Sequence, residues 1–304
     1  MIILITGGTG FVGSALIQKL KKEKHKIYLL VRSFTKQKDS SLKEFLWLDT
    51  NQELPLEAFP KEEDYGIIHL LGEPISQWPW TSHKKKKIYD SRVMGTKNLV
   101  ETIKTLPNKP QFFLAASATG IYGNQHSKEV FENSPIDNPH LFLQKVCQDW
   151  EEEVLKLQEL SRVIILRLGL VLSFQGGFLK TQLKWSQAFV PIVMYRDKLW
   201  LSWIHREDLV SLIYWILFKK QIKGIYNATS PQPFDMNSFF DHVSTHLKKK
   251  YLRIPQPLFL MRLLGGEMIK NLLVSCYVSS KKILEEGFEF KYKNLEDVFK
   301  NPDL

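Results

Sequence analysis

The stretch Ile2-Ile3-Leu4-Ile5-Thr6-Gly7-Gly8-Thr9-Gly10-Phe11-Val12-Gly13 constrains this chain more than any other. Its short continuous apolar run has the pattern of a strand buried on both faces. Glycines follow at 7, 8, 10 and 13, and Phe11 to Lys22 then carries Ala15, Leu16 and Leu20 at helical spacing. Gly7 and Gly8 permit backbone angles that a Cβ forbids. Gly10 lets the backbone approach a pyrophosphate, and Gly13 lets the helix pack closely on the strand. The unpaired N–H groups and positive dipole end of that helix favour an anion. A bare G-x-G-x-x-G is a weak signal, but between a first strand and a first helix it is a strong one. Gly7, Thr9, Gly10, Phe11, Val12 and Gly13 are therefore candidate cofactor contacts.

The same alternation continues. Ile27 to Val31, Ile67 to Leu71, Gln111 to Ala116 and Val163 to Leu168 read as buried strands, with helical stretches at about Lys86 to Thr105 and His140 to Leu160. Strands alternating with helices predict an α/β chain, a Rossmann-type doubly wound parallel sheet with a smaller mixed C-terminal lobe. The lobe is expected to contain short strands at Trp200 to Ile204 and Ile225 to Ala228. Helices are expected from Asp208 to Phe218 and, capped by Asp235, to Leu247. The expected division is 1–172 for the nucleotide domain, which can recruit elements from 198–230, and 173–304 for the lobe.

Composition excludes several classes. At 304 residues, 44% hydrophobic and 24% charged, the chain is neither disordered, collagen-like nor a coiled coil. Cys147 and Cys276 make no disulfide framework, which favours a reducing compartment. The N-terminus lacks a signal-peptide pattern. Arg262, Glu267 and Lys270 interrupt the apolar run Leu258 to Val274, against a membrane span. A cytoplasmic protein is expected. The net charge of +10 draws partly on Lys84 to Lys87 and Lys248 to Lys250. Such runs are either solvated helix faces or contacts for nucleic acid or anionic lipid. No nucleic-acid motif accompanies them, so no specific nucleic-acid partner is expected.

The second strand ends at Val31-Arg32-Ser33, where a site for NAD would carry a carboxylate for the ribose 2′-hydroxyl. Arg32 can instead pair with a 2′-phosphate through two hydrogen bonds, and Ser33 can add a hydroxyl. NADP is therefore preferred over NAD. The other reading makes Arg32 an exposed loop charge.

Further stretches sharpen the pattern: Leu70-Leu71-Gly72-Glu73-Pro74-Ile75, Asp90-Ser91-Arg92, Ser117-Ala118-Thr119-Gly120-Ile121-Tyr122-Gly123, Val146-Cys147-Gln148-Asp149-Trp150-Glu151, Arg167-Leu168-Gly169-Leu170-Val171-Leu172 and Trp203-Ile204-His205-Arg206-Glu207-Asp208. Together with the glycine spacing, they resemble the atypical "epimerase family protein" branch of the extended short-chain dehydrogenase/reductases over nearly the whole chain. The resemblance implies an NADP(H)-binding oxidoreductase or epimerase-like protein acting on a small-molecule substrate, with a homodimer admitted. It implies a C-terminal domain of unknown function at about 248–298. It also implies that Leu70, Leu71, Gly72 and Glu73 line the cofactor and that Arg92 reaches it. From the residues alone, Leu70 and Leu71 are equally core and Arg92 equally a surface charge.

Such enzymes pair a tyrosine with a lysine four residues later, on one helix face. The lysine lowers the tyrosine pKa, so phenolate takes a proton while hydride leaves the substrate carbon. Ser117 stands where the resemblance puts the substrate-polarising serine, and Lys145 at about the expected distance. Leu141, however, replaces the tyrosine. Tyr122 is the substitute acid, or else a packed loop aromatic. Tyr277 and Lys281 have the spacing but lie beyond the strands that should carry the site. His140 and His205 are weaker candidates, His205 as a residue placing the loop before Asp208. Gln175-Gly176-Gly177 makes a turn that in this superfamily contacts substrate. Trp185, Phe189, Tyr195, Trp200 and Trp203 suit either an apolar pocket or a core. No metal cluster is expected. The missing tyrosine leaves a second reading open, a non-catalytic NADP(H)-binding or redox-sensing protein.

Overall fold

The apolar runs assemble into one sheet because each must bury both faces. The computed structural model describes residues 1–34, 41–77, 79–136, 140–188, 192–193, 198–250, 252–253, 266–272 and 274–303. Its sheet consists of β1 (Ile2–Thr6), β2 (Lys26–Val31), β3 (Leu42–Leu46), β4 (Tyr65–His69), β5 (Phe112–Ala118), β6 (Arg162–Leu168) and β7 (Gly224–Ala228). The seven strands are parallel, in the order β7-β6-β5-β4-β1-β2-β3. This is the doubly wound arrangement, in which chain direction across the sheet reverses beside β1. Register aligns the strand ends: Thr6 stands beside Leu30 and His69, and His69 beside Ala115. The segments leaving β1, β2, β4 and β5 therefore emerge along one edge.

The helices are α1 (Phe11–Lys22), α2 (Ser82–Tyr89), α3 (Gly95–Thr105), α4 (Phe142–Leu155), α5 (Gly177–Ala188), α6 (Arg206–Phe218) and α7 (Met236–Leu247). Thr81 caps α2, and Asp235 caps α7 by accepting from the N–H groups of Asn237 and Ser238. The stretch expected as one helix from Lys86 to Thr105 is broken by a π-helical turn, Asp90–Met94, joining α2 to α3. The expected strand at Trp200 to Ile204 is two short strands, Trp200–Leu201 and Trp203–His205, with different partners.

The chain forms two compact units, each assembled from three separate stretches. One is Met1–Ser117, Val146–Leu166 and Ile213–Ile225; the other is Ala118–Lys145, Arg167–Leu212 and Tyr226–Leu304. The second unit packs Leu172, Leu183, Trp203, Phe239, Tyr292 and Val298 into its own core. Within it, buried Asp208 accepts from the backbone N–H groups of Lys291 and Tyr292, each at 2.9 Å. Asp208→Ala strands both donors and is expected to cost about 2–4 kcal/mol, read as a shifted denaturation midpoint. A loss below about 0.5 kcal/mol would show that the carboxylate does not hold this segment. Trp185 is 61% exposed, so it supplies no core. Phe189 and Tyr195 lie outside the described residues. Among the described residues, no helix is long and apolar enough to cross a membrane.

Candidate functional site

Backbone close approach builds the turn between β1 and α1. Gly7 has φ +70°, and a Cβ there would collide with the Leu70 carbonyl. A Cβ on Gly13 would lie 2.7 Å from Gly8 Cα and against the Gly7 carbonyl oxygen. The turn closes through Gly10 N–H to Gly7 O at 3.0 Å. Gly10 is the N-cap of α1, no side chain caps that terminus, and its first turn has no acidic residue. Thr9 and Gly10 are exposed, Phe11 and Val12 half-buried. The result is a cradle at a positive helix end that a Cβ would fill, which fits a dinucleotide pyrophosphate.

Arg32 and Ser33 are exposed just beyond β2. Across β1, the chain leaving β4 passes Leu70 and Leu71, both half-buried, to Gly72 and Glu73. The Asp90-Ser91-Arg92 turn holds this loop. Ser91 Oγ accepts the Glu73 N–H at 2.9 Å, and Arg92 Nη1 donates to the Glu73 carbonyl at 3.0 Å. Arg92 also donates to Ile88 O at 3.3 Å and lies over the Trp150 ring. Burial pulls its guanidinium below the ordinary arginine value. A Cβ on Gly72 would stand 2.9 Å from the Arg92 guanidinium, so glycine leaves the space this arginine occupies.

Glu73 Oε1 accepts from Lys84 Nζ at 2.7 Å. That bond holds the Glu73 carboxyl below its usual range against the opposing effect of burial, with weaker attraction from Arg32 and Lys87. Part of the first lysine run thus belongs to this loop: Lys84 bonds Glu73 and Gln77, while Lys86 pairs with Asp90 at 2.5 Å. In the second run, Lys248 closes α7 with φ 52°, and Lys249 donates to the Gln187 carbonyl.

Ser117 is buried on β5 and donates to Glu151 Oε1 at 2.6 Å, itself buried on α4. Sequence reading missed Glu151 as its partner. The available signal was an acid within the apolar stripe of Val146, Cys147, Trp150 and Val154. The structure places the expected acid and its lysine in different surroundings. Tyr122 is 1% exposed; its hydroxyl donates to Asn227 Oδ1 at 2.7 Å and accepts from Arg167 Nη1 at 2.8 Å. Burial raises this phenol to about 12, with Arg167 opposing. These bonds tie its turn to Asn227 and Arg167. Lys145 is exposed on α4, about 120° around the helix from Glu151. Tyr277 lies in a short strand and Lys281 begins a separate helix, so their spacing puts them on no common face. His140 is exposed, with its N–H bonded to Gln144 Oε1 at 3.2 Å.

In the second unit, His205 accepts from the Glu207 N–H at 3.3 Å and stacks on Tyr292 at 3.7 Å between ring centroids. Its Nε2 lies 3.6 Å from Asp303. This histidine braces the start of α6. Gln175 accepts from Arg206 at 2.5 Å in the turn ending at Gly177. Among the described residues, no group of three or more metal-ligating side chains is gathered.

His69, the last residue of β4, also escaped sequence reading. It is fully buried, and burial depresses its pKa to about 3, so its ring is neutral.

Comparisons with known proteins agree with this geometry. The model of the NAD dependent epimerase/dehydratase family matches residues 3–229, and a domain of unknown function matches 256–301. The chain is 32% identical to the epimerase family protein SDR39U1 homolog, chloroplastic, of Arabidopsis thaliana, over 99% of this chain and 86% of that protein. The human epimerase family protein SDR39U1, solved with NADPH, superposes with a TM-score of 0.83 at 23% identity, covering 99% and 98% of the two chains. UDP-glucuronic acid 4-epimerase of Bacillus cereus, solved with NAD and a fluorinated UDP-sugar, gives a TM-score of 0.77 at 15% identity, covering 99% and 97%.

Proposed function

This chain belongs to the NAD dependent epimerase/dehydratase family, and from that membership we propose that it is an NADP(H)-dependent oxidoreductase or epimerase-like enzyme acting on a small molecule. The carrying observation is the row of side chains and turns along the aligned ends of β1, β2, β4 and β5. Gly7, Thr9, Gly10, Phe11, Val12 and Gly13 hold the pyrophosphate. Arg32 and Ser33 take the 2′-phosphate, where a carboxylate would select NAD. Leu70, Leu71, Gly72 and Glu73 border the cofactor, and Arg92 sets their position. When bound, the nucleotide supplies or accepts a hydride at its nicotinamide ring.

The chain's own residues must then handle a proton. Ser117 orients a substrate oxygen and passes its proton to or from Glu151, the carboxyl 2.6 Å away. Tyr122, whose buried hydroxyl is bonded to Asn227 and Arg167, and Lys145 on α4 are the other candidates for this proton. The absent tyrosine and the tied-up Tyr122 support a second reading, a protein that binds NADP(H) without turnover. Ser117→Ala and Glu151→Gln separate the two: lost turnover with intact nucleotide affinity supports the enzyme. Cys147 and Cys276 are buried and not joined in a disulfide, which suits a reducing, cytoplasmic setting.

The test of the cofactor reading is calorimetric titration with NADPH and, separately, NADH. NADPH is expected to bind at least about tenfold tighter, the worth of one charge-assisted pair. Arg32→Asp is expected to reverse the order; unchanged selectivity would remove Arg32 from the 2′-phosphate site.

A further inference from the structure

We propose that Thr6, His69 and Thr96 form a directional positioning relay beneath the cofactor loops, with His69 locked as the Nε2–H tautomer. The proposal rests on the NADP(H) reading. All three residues are fully buried. Thr6 is the last residue of β1 before Gly7, His69 the last of β4 before Leu70, and Thr96 lies in the first turn of α3. His69 Nδ1 is 2.7 Å from Thr6 Oγ1, and its Nε2 is 2.8 Å from Thr96 Oγ1. Thr96 Oγ1 in turn meets the Arg92 carbonyl.

The protons can be assigned throughout. A carbonyl only accepts, so the single Thr96 proton goes to Arg92 O. Thr96 Oγ1 must then accept, and Nε2 carries the ring proton. A neutral imidazole has one N–H, so Nδ1 accepts and Thr6 donates. The relay runs Thr6 O–H to His69, His69 N–H to Thr96, Thr96 O–H to Arg92. From there the Arg92 guanidinium reaches the Glu73 carbonyl, and Ser91 holds the Glu73 N–H. A continuous set of bonds therefore ties the residue before the glycine turn to the Glu73 loop that follows β4.

Stability alone does not call for this arrangement. Replacing both partners of a buried hydrogen bond by apolar groups of the same shape is close to neutral. What the polar chain adds is direction: each bond has one donor and one geometry, so neither loop shifts without breaking the chain. The Phe113 and Trp150 rings pack against the imidazole, and the Arg92 guanidinium lies over Trp150.

The experiment combines ring ¹⁵N NMR with calorimetry on the full chain. His69 is expected to show one protonated Nε2, an unprotonated Nδ1, and no titration between about pH 8 and 5. Thr96→Ser, which keeps the hydroxyl, is expected to bind NADPH within about twofold of the natural chain. Thr96→Val, which keeps the shape but removes both bonds of the hydroxyl, is expected to bind at least about tenfold more weakly. Thr6→Val provides the same test if Thr96→Val does not fold. An Nδ1–H tautomer, a titrating ring, or natural NADPH affinity in the folded valine variants would overturn the relay. A folded natural chain that binds neither nucleotide would overturn the cofactor reading and the relay's role with it; intact ring signals would distinguish that outcome from a wrong proton assignment.

Discussion

Gly10→Val is expected to weaken NADPH binding by at least about 100-fold while lowering the melting temperature by no more than about 3 °C. The two effects separate because the protein itself leaves room at this position. Gly10 has φ −77° and ψ 178°, ordinary for any L-residue. A Cβ there would meet only the Gly7 carbonyl oxygen, at 3.2 Å. Valine is a poorer N-cap than glycine, a cost of under about 1 kcal/mol. On the proposed reading, the pressure for glycine comes from outside the chain, where a pyrophosphate would lie against the helix terminus. Gly13→Val provides the contrast. Its Cβ would stand 2.7 Å from Gly8 Cα and 2.9 Å from Gly8 C, backbone atoms with nowhere to move. That variant should lose several kcal/mol of stability as well as its ligand. Calorimetry and a thermal scan on both variants decide the matter. Undiminished NADPH binding by Gly10→Val would mean the turn is shaped only for packing.

Lowering the pH from 7.5 to 5 is expected to cost the natural chain about 2 kcal/mol through His69 alone. In the folded chain this imidazole titrates at about 3, against an ordinary value of 6.5. Below the ordinary value the unfolded chain takes up a proton that the folded chain refuses. Stability therefore falls as pH drops below 6.5, by about 1.4 kcal/mol per pH unit, until the folded pKa is reached. Above 6.5 the contribution is complete and flat. Urea denaturation of the natural chain and His69→Gln at both pH values isolates the effect, since carboxylate contributions are common to both. The gap between them should change by about 2 kcal/mol; parallel pH dependences would show that the ring already titrates freely in the folded state.

The parts of this molecule legible in its sequence are those the backbone dictates. The glycine turn and the buried strands are written in local residue choice, and both stand where expected. β3 was not legible: Leu-Lys-Glu-Phe-Leu buries only Phe45 at the sheet edge, so it has no continuous apolar run. The π-turn was hidden because Asp90 to Met94 has ordinary helical composition, and its reason is the bonding of Ser91 and Arg92 to a distant loop. Tyr122 and Lys145 were chosen by position along the chain. Neither burial nor helix face can be read from that coordinate, and those two properties are what bring Glu151 beside Ser117. His69 closes an otherwise apolar strand, where a lone histidine points equally to packing or to a bond.

Because each unit is built from three stretches, the order in which residues leave the ribosome matters. The first five strands are complete by Ala118, yet β6 begins at Arg162 and β7 at Gly224. β5 has an open edge until β6 emerges, and β6 then has one until β7 emerges, so the growing chain exposes a template for wrong pairing. Its final closure depends on contacts distant in sequence, which form slowly. The nascent protein is thus exposed to aggregation over roughly a third of its synthesis, an interval in which chaperone occupancy would be highest.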